Sequence, residues 1–226
     1  MKRNKMKKLF VVAMAAAMVF TMAACGGNGE TTNSTDTNDT ANSSVDANIP
    51  GTYTPDLLDE GKTYYADIDI KDYGKITIKL NQAEAPVTCA NFVALADAGF
   101  YNGLTFHRIM IDFMMQGGDP EGTGMGGSEN NIVGEFAQNG YENNISHKRG
   151  VSSMARANDP NSASSQFFIC HADSEFLDGA YAAFGEVTEG LDVVDAVCEA
   201  AQPTDNNGTI PTEEQPVMTS VTIRTE

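Results

Sequence analysis

The chain has no tryptophan, few basic side chains and only three histidines. Its 14 lysines and arginines stand against 31 aspartates and glutamates, which gives a formal net charge of −17 at pH 7. Such an acidic protein repels the phosphates of nucleic acids, so DNA and RNA are excluded as partners. None of the histidines, His107, His147 and His171, has a partner at metal-ligand spacing, and we expect neither a metal nor a cofactor.

The sequence also lacks an apolar run long enough to span a membrane. Residues 9–24 are apolar, but the run is short and follows a basic stretch, which is typical of an export signal. It ends in Met22-Ala23-Ala24-Cys25, which resembles the lipobox of bacterial lipoproteins; an ordinary cleavage site with an incidental cysteine is the alternative. We expect a signal peptide over residues 1–24 and a lipid on Cys25. The protein would then sit outside the cytoplasm, anchored to the outer face of a bacterial cell membrane.

After Cys25 the chain consists almost entirely of Gly, Asn, Thr, Ser and Asp as far as residue 50. A segment with so few apolar side chains cannot offset the entropy lost on folding. We therefore expect a disordered tether over residues 25–55. It would carry a folded domain over residues 56–226 away from the membrane surface.

Cysteine is scarce, with four in the chain. With Cys25 lipidated, an odd number remains, which does not suit a disulfide framework. Cys170 precedes His171, but neighbours on a strand point to opposite faces, so this pair cannot act as nucleophile and base. We expect Cys89, Cys170 and Cys198, each in an apolar context, to be buried free thiols.

Short alternating segments separated by glycine-rich turns dominate the rest of the chain. Ala66–Ile70 and Ile76–Leu80 alternate on either side of a turn, which predicts an antiparallel hairpin. Helices are predicted from Pro86 to before Gly99 and over residues 190–200. Further strands are predicted over residues 105–110, 113–116, 151–155, 166–170, 182–187 and 217–224. The pattern favours a closed or nearly closed antiparallel barrel.

Two loops imitate ligand motifs. Residues 122–127 match G-x-G-x-x-G, but no helix pattern follows and no lysine is near, so a flexible surface loop is favoured over a phosphate cradle. The loop Asp205-Asn206-Asn207-Gly208 offers oxygen ligands but lacks EF-hand spacing; a calcium-dependent adhesin is the alternative that it suggests.

Six blocks remain to be explained, and the first two contain one arginine among aromatic and sulfur side chains. The blocks are Phe106-His107-Arg108, Phe113 to Asp119, Ser153 to Ala157, Ser164 to Cys170, Phe176-Leu177-Asp178-Gly179, and Phe184-Gly185. In this order they resemble the cyclophilin family of peptidyl-prolyl isomerases, and the resemblance covers about residues 62–226. It implies an eight-stranded antiparallel closed barrel capped by two α-helices. Nothing suggests more than a monomer.

The resemblance implies a substrate site for proline-containing segments of unfolded or exported polypeptides. Arg108 matches the catalytic arginine, with Phe113 and Gln116 beside it. The remaining substrate-binding positions implied by the resemblance are Met114, Ala155, Gln166, Phe168, Phe176, Leu177 and Tyr181. Such a site needs no nucleophile, because isomerisation makes no covalent intermediate. The alternative is a chaperone or interaction module that binds proline peptides in this groove with little catalysis.

Three positions depart from the family pattern. Phe176 stands where a tryptophan is common, and without an indole N–H we expect weakened binding of cyclosporin. Tyr181 replaces a usual histidine but keeps a ring and a donor, so activity should survive. Arg156 replaces a common asparagine beside Ala155, which leaves the sequence preference along the groove open.

Overall fold

The structure is a computed structural model that describes residues 49–226. The strands are β1 (Tyr64–Ile70), β2 (Gly74–Leu80), β3 (Thr105–Met110), β4 (Met114–Asp119), β5 (Val151–Met154), β6 (Phe167–Cys170), β7 (Ala183–Glu189) and β8 (Met218–Thr225). The helices are α1 (Pro86–Asp97) and α2 (Leu191–Ala200), with 3-10 turns at Ala137–Asn139, Glu175–Leu177 and Thr212–Glu214. Within this described part, no helix has the length and apolar character needed to cross a membrane.

The predicted signal peptide, Cys25 and most of the predicted tether lie outside the described residues. The end of the tether, residues 49–55, is described and touches the domain. The Tyr53 N–H donates to the Asn131 carbonyl at 2.7 Å, and Pro55 is buried. Contacts with the domain therefore begin a few residues before position 56.

The hairpin of β1 and β2 forms as the alternating pattern predicts. Ile68 and Ile78 are fully buried on the inner face, whereas Asp67 lies on the other face and accepts a hydrogen bond from Thr77 Oγ1 at 2.7 Å. All eight predicted strands and both helices are present, with boundaries that shift by a few residues. Period-two alternation was a sufficient guide to β1, because its buried residues alternate with partly buried ones.

The strands form one antiparallel sheet in the order β3-β4-β6-β5-β7-β2-β1-β8. The sheet curls strongly but remains open, so the expectation of a closed barrel is wrong. The edge strand β3 meets the start of β8 only near its own beginning, through an isolated bridge between Thr105 and Val217 and a hydrogen bond from the Phe106 N–H to the Pro216 carbonyl at 2.9 Å. Beyond that bridge, β3 pairs with a loop instead: Ile109 N–H donates to Gly208 O at 2.8 Å, and Ile210 N–H donates to His107 O at 3.0 Å. This loop occupies the edge that β8 would need for closure.

Helix α1 lies against the inner face of the sheet and is buried on most sides. Phe92 stacks on Tyr101 with ring centroids 4.9 Å apart and meets Phe167 edge-on at 5.4 Å. No side chain within the helix caps its N-terminus. The buried carboxylate of Glu135 does so from a distant loop, accepting from the N–H groups of Val87 and Thr88 at 2.9 and 2.8 Å.

Candidate active site

Four adjacent strands place a row of side chains across the outer face of the sheet. Arg108 on β3 is the register partner of Gln116 on β4, Gln116 is the partner of Phe168 on β6, and Phe168 is the partner of Ser153 on β5. Each strand sends the neighbouring residues inward, so Ile109, for example, belongs to the main core. The residues that the sequence separates by up to 60 positions are therefore adjacent in space.

A pocket of about 150 Å³ lies over this row. Six of its nine lining residues are aliphatic or aromatic, and the other three carry guanidinium or amide groups. Its lining residues are Arg108, Phe113, Met114, Gln116, Ala155, Arg156, Phe168, Leu177 and Tyr181. Met114, Phe168 and Leu177 are buried in a small hydrophobic cluster separate from the main core. The structure thus brings together eight of the ten predicted site residues in one concave surface.

The other two predicted residues lie beside this pocket. Gln166 lines an adjoining hollow that shares Gln116, Ala155 and Arg156 with it. Phe176 stands at the rim, 74% exposed, with its ring centroid 5.6 Å from that of Phe113.

The guanidinium of Arg108 is held by neutral groups. Its Nε donates to the Asn207 carbonyl at 2.7 Å, and Nη1 donates to Gln116 Oε1 at 3.2 Å. Its other near neighbours are the sulfur atoms of Met110 and Met114, which are weak acceptors. Arg108 has no ion pair with a described carboxylate. One Nη2 N–H has no partner in the described part of the chain, and the two N–H groups that face sulfur are only weakly bound, so these donors are available for a ligand.

Arg108 remains positively charged although it is partly buried. Burial lowers the pKa of Arg108, while Tyr181 and Asp205 act in the opposite direction. An arginine keeps its proton throughout the physiological pH range, so the pocket always presents a cation.

A chain of amide side chains fixes Gln116. Its Nε2 donates to Gln166 Oε1 at 2.9 Å, and Gln166 Nε2 in turn donates to the carbonyls of Gly124 and Gly126 at 3.1 and 2.7 Å. Gln116 Oε1 is thereby turned toward Arg108. Sequence reasoning placed both glutamines at the groove but gave no sign of this relay.

The glycine loop that imitates a phosphate motif is organised from within. The buried carboxylate of Asp119 accepts hydrogen bonds from the N–H groups of Glu121, Thr123 and Gly124, the last at 2.6 Å. Burial alone would raise the pKa of Asp119, but these backbone donors together lower it. An internal carboxylate thus occupies the nest of N–H groups where an external anion would have to bind.

The two glycines before Asp119 permit this arrangement. A Cβ on Gly118, whose φ is +84°, would lie 2.6 Å from the Ser165 carbonyl. A Cβ on Gly117 would lie 2.6 Å from the Thr105 carbonyl. The Gln-Gly-Gly-Asp sequence is thus explained by close backbone contact next to Gln116.

A buried polar group behind the pocket was not predicted. His147 Nδ1 lies 2.8 Å from Asp178 Oδ1, and Nε2 lies 3.0 Å from Ser153 Oγ. This resembles a Ser-His-Asp triad in its contacts. Ser153 and His147 are completely buried, however, so no substrate carbonyl can reach the hydroxyl. The imidazole instead stacks on the wall residue Phe168, with centroids 6.1 Å apart at 17°.

The other residues that could carry out chemistry, the cysteines and His171, have structural roles. Cys89, Cys170 and Cys198 are buried free thiols, as predicted. His171 accepts from the Asp112 N–H at 2.9 Å and lies 3.4 Å from an Asp195 oxygen. Among residues 49–226, no group of three or more acidic, His or Cys side chains could hold a metal ion.

Comparison with known proteins shows which proteins this chain is similar to. The family model described as cyclophilin type peptidyl-prolyl cis-trans isomerase/CLD matches residues 65–224. A peptidyl-prolyl cis-trans isomerase of Helicobacter pylori J99 is 45% identical over 148 residues, which cover 64% of this chain and 88% of that protein. The peptidyl-prolyl cis-trans isomerase ppi1 of Schizosaccharomyces pombe is 47% identical over 121 residues, covering 53% and 76%.

A solved structure shares the architecture. The crystal structure of a Cryptosporidium parvum cyclophilin type peptidyl-prolyl cis-trans isomerase, determined in the presence of the dipeptide Ala-Pro, matches with a TM-score of 0.63. The two chains are 29% identical, and the match covers 72% of this chain and 99% of the other.

Proposed function

This chain belongs to the cyclophilin-type peptidyl-prolyl cis-trans isomerase family, and from that membership we propose that it catalyses cis/trans isomerisation of X–Pro bonds in polypeptides. The observation that carries the proposal is the position of Arg108. It places an unpaired cation beside an apolar pocket whose volume, about 150 Å³, suits a proline ring.

The reaction makes no covalent intermediate, but its energy barrier is high. Rotation about an amide bond is opposed by about 18–20 kcal/mol, because the nitrogen lone pair is delocalised into the carbonyl. At the twisted transition state this nitrogen becomes pyramidal and can accept a hydrogen bond. The free donors of Arg108 can hold the proline carbonyl and stabilise that nitrogen.

The pocket walls supply the second part of catalysis. The proline ring would pack against Phe113, Met114, Phe168 and Leu177 while the carbonyl group that precedes it rotates. Their low polarity disfavours the planar amide, whose charge separation is greater than that of the twisted state. Gln116 keeps Arg108 in place through its hydrogen bond at 3.2 Å.

The decisive experiment measures isomerisation of an Ala-Pro peptide by the full chain purified in detergent. We expect Arg108→Ala to lower kcat/KM tenfold or more with the fold intact. Arg149→Ala is the matched control, because Arg149 forms an ion pair with Asp195 away from the pocket. Turnover that survives Arg108→Ala unchanged would refute the role given to Arg108. Turnover absent from the wild-type chain, with peptide binding retained, would favour the binding-module alternative.

We also propose that the isomerase works outside the cytoplasmic membrane on exported proteins, as a monomer held by a lipid on Cys25. The supporting observations are the basic n-region, the short apolar run and the Met22-Ala23-Ala24-Cys25 sequence. Residues 26–50 would form the spacer between lipid and domain.

Fractionation of cells that express the full chain tests this anchoring. The wild-type chain is expected in the membrane fraction, with radiolabelled fatty acid incorporated. Cys25→Ser should abolish labelling and leave either an uncleaved or a released protein. Equal labelling of the wild-type chain and the variant would contradict lipidation at Cys25.

A further inference from the structure

A second hollow adjoins the proline pocket and is larger, with a volume of about 490 Å³. The two share Gln116, Ala155 and Arg156, so they form one continuous groove. The rest of the hollow is lined by the glycine loop at residues 124–127 and by small polar side chains, among them Ser128 and Ser162. No aspartate or glutamate lines it.

Arg156 separates the two hollows and is firmly oriented. Its Nε and Nη2 donate to the Ala180 carbonyl at 3.1 and 2.9 Å, and Nη1 donates to the Ala157 carbonyl at 2.9 Å. The guanidinium carbon lies 5.0 Å from the ring centroid of Phe136 and 4.8 Å from that of Tyr181. All these partners are neutral, so the side chain is fixed while its charge is left uncompensated.

An uncompensated arginine is unexpected in a chain with 31 acidic residues. The four arginines of residues 49–226 fall into two groups, those that form an ion pair with a carboxylate and those that do not. Arg149 pairs with Asp195 at 2.7 Å, and Arg224 also has carboxylate partners. Arg108 and Arg156 form no ion pair with a described carboxylate, and these two line the groove. The groove is therefore a local positive site on an otherwise negative protein.

We propose that the hollow beside Arg156 binds the carboxylate of an aspartate or glutamate in the substrate, close in sequence to the isomerised proline. This specificity rests on the proposed isomerase function. An extended chain advances about 3.3–3.6 Å per residue. Since the two hollows share wall residues, the acidic side chain belongs within about three residues of the proline.

Two features add to the attraction of Arg156. The hydroxyl group of Ser128, which donates only at 3.5 Å to the Asn130 carbonyl, can turn to donate to a carboxylate. No acidic side chain lines the hollow, although the carboxyl groups of Asp119 and Glu121 lie against Gly126 in its wall; the net charge of −17 repels an acidic residue elsewhere along a substrate. If this site exists, a carboxylate should raise kcat/KM at one position of the substrate and not at the others.

The test uses pairs of Ala-Pro peptides that carry Glu or Gln at each of three positions on either side of the proline. For the wild-type full chain, we expect the kcat/KM ratio of Glu to Gln peptide to reach about fivefold at one position. At that position the ratio should fall toward one as salt is raised. Ratios at or below one at all positions would overturn the proposal.

Variants assign the effect to Arg156. The Glu-to-Gln ratio is expected to fall to about one in Arg156→Gln and to remain above one in Arg156→Lys, which keeps the charge. Arg149→Gln removes the same charge outside the groove and should keep the wild-type ratio. A ratio that Arg156→Gln leaves unchanged would refute the site. Failure of the wild-type chain to turn over any peptide would refute the isomerase function instead, and the two failures are thus distinguishable.

Discussion

The imidazole of His147 lies parallel to the phenyl ring of Phe168, with centroids 6.1 Å apart and an angle of 17° between the planes. A fully buried histidine thus supports one wall of the proline pocket from behind. Asp178 accepts from both the main-chain N–H and the ring of His147, at 2.8 Å in each case. The wall of the pocket is therefore coupled to a titratable group that never reaches solvent.

Acidification should weaken the fold through His147. Burial lowers the pKa of His147, although the bond to Asp178 acts against this. The unfolded chain therefore takes up a proton near pH 6.5 that the folded protein refuses. The free energy of unfolding is expected to fall as the pH drops below about 6.5, until the folded pKa is passed.

Urea unfolding between pH 7 and pH 5 measures this slope. His147→Gln should reduce the pH dependence, and at pH 7 it should cost about 1–3 kcal/mol, because the hydrogen bonds of Asp178 and Ser153 are lost. Burial also lowers the pKa of His107, so part of the slope should remain and should be reduced further in the double variant with His107→Gln. An undiminished slope in His147→Gln would contradict the assignment.

The amide relay should set the efficiency of the site. Gln166→Ala removes the partner of Gln116 Nε2 at 2.9 Å and frees the loop at Gly124. Loss of a neutral hydrogen bond costs about 1 kcal/mol, which corresponds to a roughly fivefold lower kcat/KM. Gln82→Ala is the control, because Gln82 lies on an exposed loop far from Gln166 in the sequence. This variant should leave kcat/KM in the peptide assay unchanged. Equal kinetics for Gln166→Ala and the wild-type chain would show that Gln116 needs no support.

Glu135 should be among the most sensitive positions for stability. It is 2% exposed and accepts from the N–H groups of Val87 and Thr88 and from Thr88 Oγ1 at 2.6 Å. Glu135→Ala leaves these donors unsatisfied and is expected to cost about 2–4 kcal/mol in unfolding free energy. Glu129→Ala, on the surface, should change it by less than about 0.5 kcal/mol. Thermal and urea unfolding compare the two.

The contribution of Glu135 to the free energy of unfolding should decrease as the pH rises. Burial raises the pKa of Glu135 despite its three hydrogen bonds. The folded protein thus holds this proton to a higher pH than the unfolded chain does. The contribution of Glu135 is therefore fully present below about pH 4.5 and declines as the pH rises through the folded pKa. A Glu135→Ala variant whose cost grows with pH across this window would contradict this direction.

The sequence predicted the elements well because strand alternation and helix boundaries are local signals. Pro86 and Gly99, for example, bracket the observed α1 closely. The closed barrel was wrong because closure depends on whether the loop at Gly208 or strand β8 pairs with the far part of β3, and no periodicity reports that choice. Site residues came from resemblance, and the structure explains their proximity through strand register.

Long-range polar partners could not be predicted. Asp178 lies 31 residues from His147, and Glu135 lies 47 residues from Thr88. Buried hydrogen bonds of this kind have no spacing rule, because the fold and not the local chain brings the groups together.

The three described thiols should resist modification while the protein is folded. Burial raises the pKa of Cys170 and of Cys198 to about 12, and it also raises the pKa of Cys89 well above its usual value. The thiolate is the reactive form, so at pH 8 reaction with a thiol reagent should be slowed by at least about a thousandfold relative to an exposed cysteine. Counting reactive thiols before and after addition of guanidinium checks this. Rapid labelling of the native protein at any of these three cysteines would contradict their burial.

The last prediction concerns cyclosporin and the exposed ring of Phe176. This ring packs on Phe113 at the rim of the pocket but has no polar atom to offer an inhibitor. Phe176→Trp would add an indole N–H at a position that is 74% exposed, so the larger ring can be accommodated without displacing the core. One added hydrogen bond is worth about 1 kcal/mol, and we expect cyclosporin to inhibit the variant about fivefold more strongly than the wild-type chain. Peptide turnover in the absence of inhibitor should be recorded in parallel, because a change there would alter the apparent inhibition. Inhibition of the wild-type chain at low nanomolar concentration would show that the missing donor at position 176 does not limit cyclosporin binding.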